Sequence, residues 1–493
     1  MVGTLQQQAE AMSLASPPSA GMDIIIIVTS SDKQESYWQE YLVASAGYSY
    51  AAGTKVVVVN EDWPGGAGNG LGTLYAYQKA IRKAKSLYNI DLLHEQEEGA
   101  AVAMYHTAGK GTRLAPLPGT EANNKSAVKL PAVKPDGSLV TILEAVIRQT
   151  SIYGAGRKGR LSVFWGDQIF IPSATPQPSL NHVDILACLS PLPTKEVWEE
   201  KGLSRYGLVY VAESGHAKLL EKVEYSMIQR LTDSKVLTSD GLFGTSLGSF
   251  SVSYELLCAL LNEFASELRN KKGKLDSDPH LWMPLSLDEA TYARLMLSKG
   301  MSELDAKQLH RRLQKVKHRL QHSHDEVFFG TIDVGMDSYW WDFGTVQNYY
   351  HNCLKLVADT PEGHAIRTFF GGNVAADNNV YQQKCDIGNG TITNSVLVGV
   401  KAKNLDANNC VIINCAFTEL SAVGSLLYSV RDSKPLNMPE ASVRADVFLY
   451  YPLGHIKMHS ELSRDGNKDW NVRLNGNPLS YAELYLHNER DED

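Results

Sequence analysis

Tyr105-His106-Thr107-Ala108-Gly109-Lys110-Gly111-Thr112-Arg113-Leu114 follows directly on the apolar run Ala101-Val102-Ala103-Met104, so a short strand runs into a glycine-rich turn. Glycines at 109 and 111 remove the Cβ atoms that would keep a backbone away from a polyphosphate. Thr112 and Arg113 add a hydroxyl donor and a fixed cationic fork. The stretch reads as a nucleotide-binding loop, with Ala108, Gly109, Gly111 and Thr112 as the contacts. It is neither of the two commonest phosphate loops. A P-loop needs glycine at 104 and serine or threonine at 111, and a dinucleotide fingerprint needs glycine or alanine at 114; Met104, Gly111 and Leu114 fail those tests.

Outward from the loop, strands and helices alternate. Ile24-Ile25-Ile26-Ile27-Val28 and Val56-Val57-Val58-Val59 are short, wholly apolar runs, as expected of strands in a parallel sheet covered on both faces. The second leads into another glycine-rich loop, Pro64 to Thr73, and then a helix with Leu71, Leu74, Tyr77, Ile81 and Ala84 on one face. That loop is open to two readings, a flexible connector or a phosphate or base contact. Ala101 to Met104, Leu161 to Trp165 and Val183 to Leu189 continue the strand series, which predicts an α/β core with a doubly wound sheet. Leu161 to Trp165 ends in Gly166-Asp167, so Asp167 should emerge at the carboxyl edge of the sheet, where open α/β folds bind ligands.

Composition narrows the class. With 493 residues the chain exceeds one average domain, and a net charge of −8 argues against a bulk nucleic-acid or anionic-membrane binder. Six cysteines without a CxxC pair suit a reducing compartment, and Cys410 and Cys415 read as buried thiols. The longest aliphatic run, Ile24 to Val28, cannot span a bilayer. A soluble protein of the cytoplasm, or of the plastid stroma in a phototrophic eukaryote, is expected.

The loop and the segment after it resemble the sugar-1-phosphate nucleotidyltransferases (pyrophosphorylases), whose signature is G-x-G-T-R-L/M and then a P-K lysine. The resemblance implies Arg113 and Lys129 as catalytic cations, although Val128 stands where the family has proline and Lys125 competes for the lysine's role. Ser338-Tyr339-Trp340-Trp341-Asp342-Phe343-Gly344-Thr345 looks like the family's W-x-D-x-G-T element, which implies that Asp342 joins Asp167 in holding Mg²⁺ and that Gly166 lies against the nucleotide. Asp-Phe-Gly alone would suit a kinase, but no H-R-D-x-x-x-x-N precedes it and no A-P-E comes after. Tyr206-Gly207-Leu208-Val209 and Glu221-Lys222-Val223 resemble the family's Y-G-x-V and E-K-P elements, and Phe243 to Phe250 resembles its sugar-pocket strand. Gly207, Glu221, Lys222 and Gly248 are thereby implied as sugar-phosphate contacts.

Ordered motifs carry the resemblance from Val102 to Asn348. The early glycine loop favours an atypical member, similar to the fucose-1-phosphate guanylyltransferases or to an unusual plastid UDP-glucose pyrophosphorylase. The implied fold is a GT-A-like Rossmann nucleotidyltransferase core with a mixed sheet. The expected layout is a disordered N-terminus over 1–22 and a core over 23–350 with a helical insertion at about 260–324. A β-rich unit over 351–485 and an acidic, frayed tail over 486–493 complete it. For the β-rich unit, coils of a β-helix and an ordinary sheet both remain open. The implied reaction joins a nucleoside triphosphate to a sugar 1-phosphate and releases pyrophosphate, with UTP and glucose 1-phosphate as first choice and GTP with fucose 1-phosphate as second. A catalytically silent nucleotide-sugar sensor is the rival of another class; a glycosyltransferase would need a D-x-D that is not obvious here. Nucleic acid and membrane are not expected partners. Oligomeric state is open, with the C-terminal unit as the surface through which copies would associate.

Overall fold

The computed structural model describes residues 5–18, 20–238, 240–322, 326–449 and 454–490. Four parallel strands, Lys55–Asn60, Ile24–Thr29, Val102–His106 and Arg160–Trp165, lie side by side in that order. Antiparallel Leu242–Ser253 continues the sheet to Gly207–Val211 and Ala217–Glu221, while Val183–Pro191 and Phe329–Asp333 branch from it, giving nine strands. The mixed α/β class expected from the strand and helix alternation is present.

The apolar runs form strands because both faces are covered. Ile25, Ile27, Val56 and Val58 enter one core with Trp38 and Leu42 of the helix Asp32–Ala44 and with the helix Ile142–Thr150. Ile24, Ile26, Val57 and Val59 enter the other, with Leu71, Leu74 and Tyr77 of the helix Gly68–Tyr88. Each such buried side chain contributes roughly 1.5–3 kcal/mol. Thr141 and Glu144 form a capping box that starts the Ile142–Thr150 helix.

The helical insertion is present as Ala265–Asn270, Met283–Ser286, Glu289–Ser298 and Glu303–Leu320, with residues 323–324 of the expected range outside the described residues. Leu309, Leu313 and Val316 bury the apolar stripe of the last helix in the second core. Arg312 pairs with Glu263 and Glu267, tying the last helix of the insertion to its start.

Past the helices Val346–Leu354 and Pro361–Phe370, the chain builds two parallel stacks of short strands. Partners lie fifteen residues apart: Val396, Val411 and Leu426 on one stack, Lys401, Ala416 and Arg431 on the other. The corners between them take left-handed backbone at Asn394, Asn409 and Gly424, and again at Gly399, Asn414 and Ser429. Asparagine and glycine recur there because they enter that conformation at least cost. The fifteen-residue spacing does not divide into six-residue units, so any hexad in the sequence is irregular. Cys410 and Cys415 are buried in these rungs, as expected.

Three expected boundaries shift. Residues 5–18 and 20–22 are ordered rather than loose: the helix Leu5–Ala11 packs on Pro361–Phe370, Ala9, Met12 and Leu14 are buried, and Arg148 donates to the Ser13 carbonyl at 2.7 Å. The β-rich unit begins at Val380, since 351–379 is largely helical. The tail is not frayed as far as Arg490, because the helix Tyr481–Arg490 docks on the core. There Asn488 Nδ2 donates to the Gly119 carbonyl at 2.9 Å and to Asn123 at 3.0 Å. Residues 1–4, 19 and 491–493 lie outside the described residues. Among the described residues no helix is long and apolar enough to cross a membrane.

Candidate nucleotide and sugar-phosphate site

The glycine loop leaves the strand Val102–His106 in the middle of the sheet, beside the end of Arg160–Trp165. Parallel neighbours release their loops at one edge, so the loop and Asp167 meet there. Thr107 anchors the exit, its N–H and its hydroxyl both donating to the Val28 carbonyl, at 2.9 and 2.8 Å. Gly109 has φ +115°, donates to Ser30 Oγ at 2.7 Å, and its missing side chain leaves open space beside Ala108. Gly111 has another use. At φ +63° its Cα passes so close to Lys125 that an added Cβ would lie 2.7 Å from the lysine's own. Thr112 hydrogen-bonds Asn467 Oδ1 at 3.1 Å, and Lys110 lies over the rings of Trp470 and Tyr485. The segment after the stacked strands thus returns to cover the loop, a contribution that no local motif announces.

Asp342 reaches the same edge by pairing. The strand Tyr339–Asp342 runs antiparallel to Gln168–Ile171 with Asp342 opposite Gln168, and the Phe343 N–H donates to the Asp167 carbonyl at 2.9 Å. Gly344 lies between the acidic groups and a cation: a Cβ there would sit 2.9 Å from Asp342 Oδ1, 3.4 Å from Asp167 Oδ2 and 3.7 Å from Arg113 Nη2. Lys125 Nζ completes the group, 3.1 Å from Asp167 Oδ2. Burial raises the Asp342 carboxyl above its ordinary range, the Gly344 N–H opposes the rise, and Asp167 adds to it. Gly166 packs on Thr107 and hydrogen-bonds the His106 carbonyl at 3.1 Å, which fixes the turn into Asp167.

Two carboxylates with two cations beside them fit a divalent ion that arrives with a polyphosphate: the pair supplies hard oxygen ligands, and phosphate oxygens and water complete the shell. Among the described residues no cluster of three or more His, Cys, Asp or Glu side chains is placed to hold a metal by itself.

Lys129 is not in this group. Its Nζ pairs with Glu121 at 3.0 Å and donates to the Ala127 carbonyl at 2.9 Å; its N–H donates to Tyr428 Oη at 2.8 Å and its carbonyl accepts from Tyr349. Together with Glu121, Tyr428 and Arg431 it lines a cavity of about 460 Å³ at the seam between the sheet domain and the stacked strands. The physical reason is the local backbone: Lys125 lies on the 3₁₀ turn Lys125–Ala127 packed under Gly111, whereas Lys129 opens the strand Lys129–Val133 against the seam. Lys125, not Lys129, is the lysine beside the aspartates.

The implied sugar-phosphate residues fall on a second part of the edge. Gly248, at φ +74°, is bare because a Cβ would collide with the Trp165 indole, two residues before Asp167. Gly207 is the register partner of Glu221, whose carboxylate pairs with Lys222 at 3.1 Å and Lys299 at 3.6 Å. Tyr206 packs on Trp340, two residues before Asp342, with ring centroids 5.9 Å apart. The helical insertion, which sequence reasoning left without a chemical role, adds Asp278: a Cβ on Gly207 would lie 3.1 Å from its Oδ2.

Burial, then Glu221, push the Asp278 carboxyl up to about 7, with Ser277 and Lys222 opposing and Asp276 adding a little. Because the folded chain holds this proton more tightly than the unfolded one, the group costs stability progressively as pH rises from about 4 to about 7, and the cost then stays constant. Asp278→Asn should therefore gain on the native protein as pH rises. Thermal melts should show the variant's Tm advantage growing by about 2 °C or more between pH 5 and pH 8; an advantage independent of pH would show that Asp278 is already ionised at pH 5.

The early glycine loop is occupied by protein. Gly70 and Leu71 donate to the Leu275 carbonyl at 2.8 and 3.1 Å, Asn69 donates to Asp276 Oδ1 at 3.1 Å, and a Cβ on Gly68 or Gly70 would strike Leu275. The glycines admit the insertion at the start of the helix Gly68–Tyr88, and these N–H groups are already used. Thr73 of that helix contacts His106 Nε2 at 2.8 Å, which ties it to the central strand; burial, then Lys125, hold that imidazole down near about 4, so it is neutral.

Fold and site together define a mixed α/β protein with a cluster of paired carboxylates and cations beside a glycine loop. Compared with known proteins, the chain matches no family model and no curated protein.

Proposed function

We propose that this chain is a sugar-1-phosphate nucleotidyltransferase. The observation that carries the reading is the meeting of Arg113, Lys125, Asp167 and Asp342 around the bare Gly344, brought from four separated segments to the carboxyl edge of a parallel sheet. In the reaction a phosphate oxygen of the sugar 1-phosphate attacks the α-phosphorus, the bond to the bridging oxygen breaks, and pyrophosphate leaves. No covalent enzyme intermediate is required, so the residues act by positioning and by neutralising charge. Arg113 holds the departing β- and γ-phosphates, and Lys125 takes the role at the reacting phosphate that the resemblance implied for Lys129. Asp167 and Asp342 would hold Mg²⁺, which supplies charge neutralisation on the phosphates. Gly207, Glu221, Lys222 and Gly248 bind the sugar 1-phosphate at its sugar end, and the stacked strands form a short β-helix that buttresses the Glu121 turn.

UTP with glucose 1-phosphate is the proposed pair; GTP with fucose 1-phosphate ranks second. The test is pyrophosphate release from four nucleoside triphosphates against several sugar 1-phosphates. One triphosphate is expected to lead by on the order of a hundredfold or more, because a pocket built to hydrogen-bond one base leaves polar groups unpaired with another. A lead for GTP would change the substrate and keep the reaction; no release with any pair would leave the silent sensor as the better reading.

A further inference from the structure

The helical insertion closes on the start of the helix Gly68–Tyr88 through Leu275 and Asp276, and the Ser277 N–H donates to Asn69 Oδ1 at 2.6 Å. This anchorage fixes the next residue, Asp278, at the head of the wide turn Asp278–Trp282, a geometry frequent at functional positions. Its Oδ2 and the Ser246 Cβ both border the place a Cβ on Gly207 would take, at 3.1 and 3.4 Å. Ser277 Oγ, at 3.3 Å, gives its carboxylate one long hydrogen bond. Glu221 is the strand partner of Gly207 and its charge acts on Asp278, so two carboxylates from segments far apart in sequence come together beside one bare glycine. Lys222 and Lys299 both pair with Glu221, and Asp278 has no such cation within ion-pair distance among the described residues.

We propose that Asp278 is a specificity-determining residue that, with Glu221, accepts hydrogen bonds from the hydroxyls of a neutral sugar and rejects sugar 1-phosphates that carry a carboxylate of their own. The inference rests on the nucleotidyltransferase reading. Carboxylates are acceptors with several lone-pair directions each, which suits neighbouring hydroxyls on a ring. A uronic acid in the same place would put a further negative charge against Asp278, which has no paired cation, and beside Glu221, whose charge Lys222 and Lys299 already engage, and like charges in such a setting discriminate strongly. The sugar's phosphate is accommodated elsewhere, since Tyr206 and Trp340 lead from Gly207 toward Asp342, where Arg113 and Lys125 supply positive charge.

The experiment compares kcat/KM for glucose 1-phosphate and glucuronic acid 1-phosphate, with the preferred triphosphate and Mg²⁺ at pH 8, in native protein, Asp278→Asn and Glu221→Gln. Native protein should favour the neutral sugar by on the order of a hundredfold, and Asp278→Asn should narrow that ratio by about tenfold, partly through a gain with the uronic acid. Glu221→Gln should narrow it in the same direction, which keeps the test open if one variant folds poorly. Equal use of the two sugars by native protein, or an unchanged ratio in both variants, overturns the inference and leaves nucleotidyl transfer standing. Absence of pyrophosphate release with every neutral and acidic sugar 1-phosphate overturns the reading on which it rests, and the inference with it.

Discussion

Asp167→Asn and Asp342→Asn should each lower the rate of pyrophosphate release by about a thousandfold or more, and a chelator should do the same to native protein. The two oxygens border one glycine, 3.4 and 2.9 Å from where its Cβ would be, so neither carboxylate can stand in for the other. Folding should survive. Asp342→Asn removes a half-buried negative charge that Asp167 repels, so its Tm should match or exceed that of native protein. Asp167→Asn weakens the pairing with Lys125 and should lose a little stability. Steady-state kinetics beside thermal melts check both: full activity in chelator, or in both variants, would remove the metal from the site.

The second large effect separates two lysines four residues apart. Lys125→Ala should cut turnover by about a hundredfold or more, because it deletes the charge beside Asp167 and the reacting phosphate. Lys129→Ala should leave kcat within about threefold and instead cost about 1–3 kcal/mol of stability, since Glu121 is left at the seam with Tyr428 as its remaining partner. Measuring kcat and Tm for both variants checks the assignment. The reverse pattern, with turnover lost in Lys129→Ala alone, would return the catalytic role to Lys129.

Those lysines show what a motif can and cannot specify. The β-branched runs at Ile24 and Val56 announce strands buried on both faces, and their residues do divide alternately between two cores. Gly166-Asp167 is legible because a strand end fixes where the next residue emerges, and Asp342 because its surrounding pattern is long. Which of Lys125 and Lys129 turns to the aspartates depends on a 3₁₀ turn under Gly111, a contact with no signature in the linear chain. The glycines of the early loop have the same ambiguity: they are bare for Leu275, some two hundred residues away in sequence. Asp278 carries no local signal, because its setting is made by Gly207 and Glu221. Both ends of the chain depart from expectation for a related reason. Their polar composition hides a few anchors, Met12 and Leu14 at one end and Leu484 and Asn488 at the other, that bury well in the folded chain.

The most direct measurement tracks the phosphorus. Protein supplied with glucose 1-phosphate, Mg²⁺ and UTP labelled with ³²P at either the α or the γ position should place the α label in a nucleotide sugar and the γ label in pyrophosphate, with both transfers lost in the Asp167→Asn, Asp342→Asn double variant. Release of the γ label as orthophosphate, or equal transfer by the double variant, would contradict nucleotidyl transfer at the two aspartates.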